Sequence, residues 1–395
     1  MANLHGRRGA HRIRTPWWAR LGVVGIAALS LVVAAGPPGG AIAAQAPPST
    51  AFFVGTDGSV ATYGLAADGT RPPAVNIGPS GTAPPGAALA TARSSGGDPI
   101  VAVVGTNGAL SLGGCRTNKF VAVTGPEFAL PGLPLAAILA ADRMWLVTED
   151  KPGGLFIKVM EASNPCAPGP VPVPHVITAW LGAGAAITAT GLADGRVGVF
   201  AVDTTGAVHA LWLTPNGQAT DSTLTQAGTA SPGGGIAVTP DSGTSATPGA
   251  LSLFYSGHDG RIYLAHPVPG GGLTGDPQPQ PWAPTAGQNG PPLAAATGPL
   301  GTAVSYVATD GTVTADLVAP NGQWQAAIAA SGPGFATGGA STGVTFNATE
   351  LDVYCGNGSG QPGTIVVNPH VGGPGVWWPA GPPNRTNATT AFVAS

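Results

Sequence analysis

Apolar residues along this chain come in short runs that pair up around turns ending in glycine. The pattern reads FFVGTDGSVATYGL from Phe52, IVAVVGTNGALSL from Ile100, MWLVTEDKPGGLFIKVM from Met144 and VGVFAVDTTGAVHALWL from Val197. It continues as LSLFYSGHDGRIYLAH from Leu251, AVSYVATDGTVTADLV from Ala303 and LDVYCGNGSGQPGTIVV from Leu351. Within the runs, side chains alternate: Leu251, Leu253 and Tyr255 fall on one face, as do Val304 and Tyr306, which is the period of a strand. Asp57-Gly58, Asn107-Gly108, Asp259-Gly260 and Asp310-Gly311 supply the positive φ that a tight hairpin needs. Seven hairpins are therefore predicted.

Their spacing is regular. The turn glycines Gly58, Gly108, Gly154, Gly206, Gly260, Gly311 and Gly360 are separated by 50, 46, 52, 54, 51 and 49 residues. A lone hairpin buries too little surface to be stable, so each repeat must contribute more strands. One precedes the hairpin, as at Pro292–Ala296 and Ala185–Thr188. Another follows it, introduced by Trp at Trp282, Trp324 and Trp377-Trp378. Four strands in each unit, repeated seven times, predict an all-β fold: a seven-bladed β-propeller of four-stranded blades. The first unit has no room for a leading strand, so the C-terminal segment containing Ala391-Phe392-Val393 is expected to complete blade 1 and close the ring.

Composition agrees with this. Gly (63) and Pro (41) make up about a quarter of the 395 residues, which disfavours helices and raises the prospect of disorder. The 43% hydrophobic and 8% charged content argues for a folded chain with a core.

The first 44 residues read differently. Arg7, Arg8, Arg12, Arg14 and Arg20 precede an apolar run from Leu21 to Ala35, and small residues end at Ala41-Ile42-Ala43-Ala44. That order is a secretory signal peptide over 1–44, leaving the propeller over 45–395. The run is shorter than a bilayer-spanning helix needs, so no stable membrane insertion is expected after cleavage. An extracellular, secreted protein follows. The Ala-, Gly- and Pro-rich composition suggests a GC-rich bacterial source.

Cleavage would remove five of the 15 basic residues and no acidic one, leaving a net charge near −8. No Lys/Arg cluster exists to displace counterions from phosphates, so nucleic acid is not an expected partner. Three cysteines remain. Cys115 and Cys166 follow the second hairpin strands of neighbouring repeats and are the candidate disulfide; Cys355, inside an apolar strand, is expected to be a buried thiol.

The strand, D-G turn, strand, Trp order resembles the tachylectin-type and PLL-like seven-bladed propeller lectins. Its clearest unit here is SYVATDGTVTADLVAPNGQW, from Ser305 to Trp324. The resemblance implies binding of simple sugars in pockets between blades, without catalysis. The family's Trp at the start of the outer strand is matched at Trp282, Trp324 and Trp377 or Trp378, which become the candidate ligand-binding residues. An indole face stacks on the C–H face of a sugar and loses little entropy in doing so.

Catalytic chemistry finds little support. His175, His209, His258, His266 and His370 lie at no zinc spacing, and no D-x-D-x-D-G calcium loop occurs. Neither a metal nor a cofactor is expected. Gly339-Ala340-Ser341-Thr342-Gly343 matches G-x-S-x-G, but a strand rather than a helix follows it, so the nucleophile elbow is not formed. His258 is expected at a surface turn, His209 to face solvent or make a local hydrogen bond, and Trp212 to lie in the core. The reading is a carbohydrate-binding module whose partners are glycans or cell-surface polysaccharide. The alternatives are a propeller-type polysaccharide hydrolase or lyase, and a structural or protein-interaction propeller of the cell envelope.

Overall fold

A computed structural model describes residues 49–66, 70–114, 119–149, 154–166, 181, 184–241, 250–282, 286–287, 290–338, 340–347, 350–370 and 374–380, with the backbone of 173–175 and 392–394. The described residues contain no α-helix.

Blade 1 begins with β1 (Ser49–Val54), β2 (Val60–Leu65) and β3 (Val75–Gly78). Blade 2 is β4 (Leu89–Arg93), β5 (Pro99–Val104), β6 (Leu110–Gly113) and β7 (Val121–Ala122). Blade 3 is β8 (Leu135–Ala140), β9 (Arg143–Glu149), β10 (Leu155–Glu161) and β11 (Val173–His175). Blade 4 is β12 (Ile187–Gly191), β13 (Val197–Val202), β14 (Val208–Leu213) and β15 (Ala219–Thr223). Blade 5 is β16 (Ile236–Pro240), β17 (Leu251–Ser256), β18 (Ile262–Ala265) and β19 (Gln278–Pro279). Blade 6 is β20 (Ala294–Gly298), β21 (Gly301–Val307), β22 (Val313–Val318) and β23 (Trp324–Ala329). Blade 7 is β24 (Gly343–Asn347), β25 (Glu350–Gly356), β26 (Pro362–Val367) and β27 (Val376–Pro379). The last strand, β28 (Phe392–Ala394), pairs antiparallel with β1 and completes blade 1 in the order β28-β1-β2-β3.

Seven four-stranded antiparallel sheets are thus formed, as the repeat predicts. Their innermost strands touch in the cyclic order β28, β4, β8, β12, β16, β20, β24 and back to β28, which closes the ring. The two strands written as preceding hairpins at 185–188 and 292–296 begin about two residues later than the sequence suggests, as β12 and β20.

No blade has a core of its own. The apolar side chains gather in clusters between neighbouring blades, one at each of the seven interfaces. Leu251, Leu253 and Tyr255 of β17 face blade 4, while Phe254 of the same strand faces blade 6. Alternation therefore separates two buried faces, and β13, β14, β17, β21 and β22 are buried along their whole length. Trp212 is 3% exposed in the blade 4–5 cluster, as expected for a core residue.

The hairpin turns also anchor the connections between blades. Gly311 has φ of 81°, and a Cβ there would stand 2.3 Å from the Ala336 carbonyl oxygen. In its place Ala336 N donates to Gly311 O at 2.9 Å, and Gly334 N donates to Asp310 O at 2.7 Å. Gly206 repeats this with Ala230 in blade 4. Glycine is required twice over, by the turn and by the close approach of the linker. The third turn, at residues 150–153, lies outside the described residues.

Where the last blade meets the first, polar groups add to the apolar contacts. Arg71 Nη2 pairs with Asp352 Oδ1 at 2.9 Å, and Asp352 is fully buried. Tyr63 Oη donates to Gly363 O at 2.5 Å, Ser49 Oγ and Tyr354 Oη share a bond of 2.5 Å, and Ala74 N donates to Ala380 O at 2.7 Å.

Cys166 is disulfide-bonded and Cys355 is a free, fully buried thiol. Cys115 lies outside the described residues. So does the segment 1–44 assigned to the signal peptide.

Candidate functional site

The four candidate tryptophans do not form equivalent positions around the ring. Trp324 opens β23, the outer strand of blade 6, and its indole Nε1 donates across to Gln278 O on β19 of blade 5 at 3.3 Å. Among the described residues Trp282 introduces no strand; it follows β19 by three residues. The two rings meet edge to face, 5.7 Å between centroids at 77°, and both are partly exposed. Phe254 of β17 backs Trp324 at 5.9 Å. The sequence marks both tryptophans, and only the fold brings them together between blades 5 and 6.

Trp377 and Trp378 diverge because successive strand residues point to opposite faces. Trp377 packs edge to face on Phe335 at 5.0 Å and covers Gly363, where a Cβ would lie 2.4 Å from the ring. It fills the blade 6–7 interface. Trp378 is 50% exposed on the outer strand.

Beside the Trp282–Trp324 pair stands a residue that sequence reading missed. Asp316 on β22 is fully buried within the apolar interface between blades 5 and 6. Tyr306 Oη donates to its Oδ2 at 3.2 Å, while Oδ1 has no hydrogen-bond partner. Trp282 lies close enough to act on this carboxyl, yet its Nε1 reaches no acceptor at hydrogen-bond length. Burial pushes the Asp316 carboxyl up to about 7, against the smaller lowering effects of Tyr306 and Trp282. The available signal was an Asp inside a strand rather than in a turn: it lies five residues past the turn glycine, where its strand neighbours are apolar.

The histidines serve local structure. His209 is 8% exposed and its Nε2 lies 3.1 Å from Asp203 Oδ2. Asp203 Oδ1 accepts from Thr205 N, Thr205 Oγ1 and Ala207 N, each at 2.8 Å, and so fixes the blade 4 turn. Burial raises the Asp203 pKa, but these bonds and His209 outweigh it and leave it lowered. His258 is exposed at its turn, as expected. Gly339 of the G-x-S-x-G match lies outside the described residues, and strand β24 begins at Gly343.

A cavity of about 500 Å³ surrounds the ring axis, within the usual range for ligand pockets. It is lined by the starts of the inner strands, including Leu89, Leu135, Ile187 and Ile236, and no ionisable side chain is among the described residues that line it. No group of three or more His, Cys, Asp or Glu able to hold a metal occurs among the described residues.

Taken with the closed ring, this architecture is that of a seven-bladed β-propeller. The chain is similar in fold to BP39L lectin from Burkholderia pseudomallei, at 20% identity and a TM-score of 0.72, over 87% of this chain and 96% of that one. AofleA from Arthrobotrys oligospora matches at 13% identity and a TM-score of 0.55, over 80% and 90% of the two chains. SapL1 lectin, solved in complex with alpha-methyl fucoside, matches at 14% identity and a TM-score of 0.51, over 76% and 96%. No protein-family model and no curated protein sequence matches the chain.

Proposed function

We propose that this protein is a secreted, lectin-like module that binds glycans or cell-surface polysaccharide without altering them. The observation that carries the reading is the Trp282–Trp324 pair. Two partly exposed indoles meet edge to face at the boundary of blades 5 and 6, with a buried carboxyl beside Trp282. The exposed parts of the two rings offer apolar faces for sugar C–H groups. The likeness of the fold to lectins, one of them solved with a fucoside, supports the same direction and makes fucosylated glycans the first ligands to try.

Secretion is supported by the basic-apolar-small order of residues 1–44, and the net acidity of the remaining chain speaks against nucleic acid as partner. The test is a glycan array run beside a product assay on the bound glycans. Binding with intact glycan is expected. An array without binding would sink the lectin reading in favour of an envelope interaction propeller, and cleaved product would replace it with a hydrolase or lyase.

A further inference from the structure

A carboxyl fully buried in an apolar interface is costly unless its oxygens are satisfied. Asp316 has one oxygen bonded to Tyr306 and one without a partner, and the indole N–H of Trp282 beside it is also without a partner. An unbonded acceptor and an unbonded donor thus lie on neighbouring side chains, next to the Trp282–Trp324 ring contact. We propose that Asp316 is a positioning residue of this ring pair: when it ionises, its carboxylate takes the Trp282 indole N–H and fixes the aromatic platform. The inference rests on the reading of that pair as the glycan site.

The arrangement fits the neutral acid. A protonated carboxyl tolerates an apolar site and makes weak demands on Trp282. Loss of its proton to solvent creates a buried charge, and the indole N–H of Trp282 beside it is an unused donor. A hydrogen bond to a carboxylate is shorter and about twice as strong as one between neutral groups. The ring therefore moves onto Asp316 or is held more firmly there.

Among the described residues, the surroundings leave this control to one group. The face that Asp316 shares carries Val304 and Tyr306 on β21, Thr314 and Val318 on β22, and Phe254, Ile262 and Leu264 from blade 5. Among the described residues, Tyr306 is the titratable group bonded to it. Of the ionisable groups described in blade 5, Arg261 lies 3.6 Å from Asp259 and His266 lies 3.8 Å from Asp241, while His258 and Asp276 are exposed; neither pair includes Asp316.

The test follows the Trp282 indole N–H by ¹H–¹⁵N NMR in the folded protein from about pH 5 to about pH 9. The resonance is assigned by its loss in Trp282→Phe. In the wild type it should move downfield with a midpoint near 7, where burial places the carboxyl. In Asp316→Asn, nearly isosteric and unable to ionise, it should stay fixed. A resonance that does not titrate, or that titrates equally in Asp316→Asn, overturns the proposal. For a glycan retained on the array, affinity should tighten on the order of tenfold across the same range in the wild type and not in the variant. An indole that titrates while affinity stays constant also overturns the positioning role. A titrating indole in a protein that binds no glycan supports the coupling of Asp316 to Trp282 and defeats only the glycan reading.

Discussion

Trp282 and Trp324 lie edge to face, 5.7 Å apart at their ring centroids, though one follows the last strand of blade 5 and the other opens the last strand of blade 6. This contact across a blade boundary makes one aromatic platform from two repeats. Trp282→Ala should therefore weaken glycan binding roughly tenfold, about 1.4 kcal/mol. Trp378→Ala, at an exposed site away from this pair, should leave affinity unchanged. Isothermal titration calorimetry with an array-selected glycan separates the two, and equal losses would place the site elsewhere.

Asp316 also sets a pH dependence of stability. Its carboxyl pKa is raised from 3.8 to about 7 in the folded chain, so the native state holds the proton more tightly than the unfolded one. The associated stability is fully present below the unfolded pKa and is lost as pH rises through about 7. The displacement corresponds to roughly 4 kcal/mol. Urea unfolding should show the wild type losing stability relative to Asp316→Asn between about pH 4 and about pH 8, with the variant the more stable above neutrality. A difference between the two proteins that does not vary with pH would contradict this.

At the closing seam, Arg71 is the cation that offsets the buried charge of Asp352. Burial raises the Asp352 pKa and Arg71 opposes that rise. Arg71→Ala should cost about 3–5 kcal/mol, because it leaves a buried carboxylate without its partner. Replacing both with apolar residues, as in Arg71→Leu with Asp352→Leu, should recover much of that loss. Chemical denaturation of the three variants measures it, and a neutral Arg71→Ala would show that the seam does not depend on the pair.

The disulfide of Cys166 is proposed to reach Cys115 and to span blades 2 and 3. Non-reducing peptide mapping should recover those two cysteines in one linked peptide, with Cys355 alkylated only after unfolding. A closed loop of about 50 residues implies a stabilisation of roughly 4 kcal/mol, which reduction would remove. Recovery of Cys115 as a free thiol would refute the pairing.

The turn glycines can be tested against a control. Gly311→Ala meets both a positive φ and the Ala336 carbonyl, so it should destabilise by about 2 kcal/mol or more. Gly332→Ala has open space around the new methyl and should be close to neutral. Thermal unfolding of both variants distinguishes a structural requirement at the turn from a general cost of losing glycine.

Much of the fold was legible because its causes are local. Strand alternation and Asp-Gly or Asn-Gly turns are written within a few residues, and their recurrence from Gly58 to Gly360 gives the blade count directly. The closing strand was legible by subtraction, since blade 1 began one strand short and the C-terminal segment supplied it. Boundaries were less so: β12 and β20 start later than their apolar runs, because pairing partners rather than hydrophobicity set the ends of strands.

The site depended on distance in three dimensions. Tryptophan positions could be read from the chain, but not their partners: Trp324 and Trp377 both pack at blade boundaries, and only Trp324 meets a second indole, that of Trp282. The burial of Asp316 was hidden, because an isolated Asp in a strand does not reveal that both faces of that strand are covered by neighbouring blades. The sequence by itself determined the repeat, the turns and the closure, each a consequence of short-range backbone chemistry. Only the tertiary structure decided which residues meet, because the ring brings the end of one blade against the outer strand of the next.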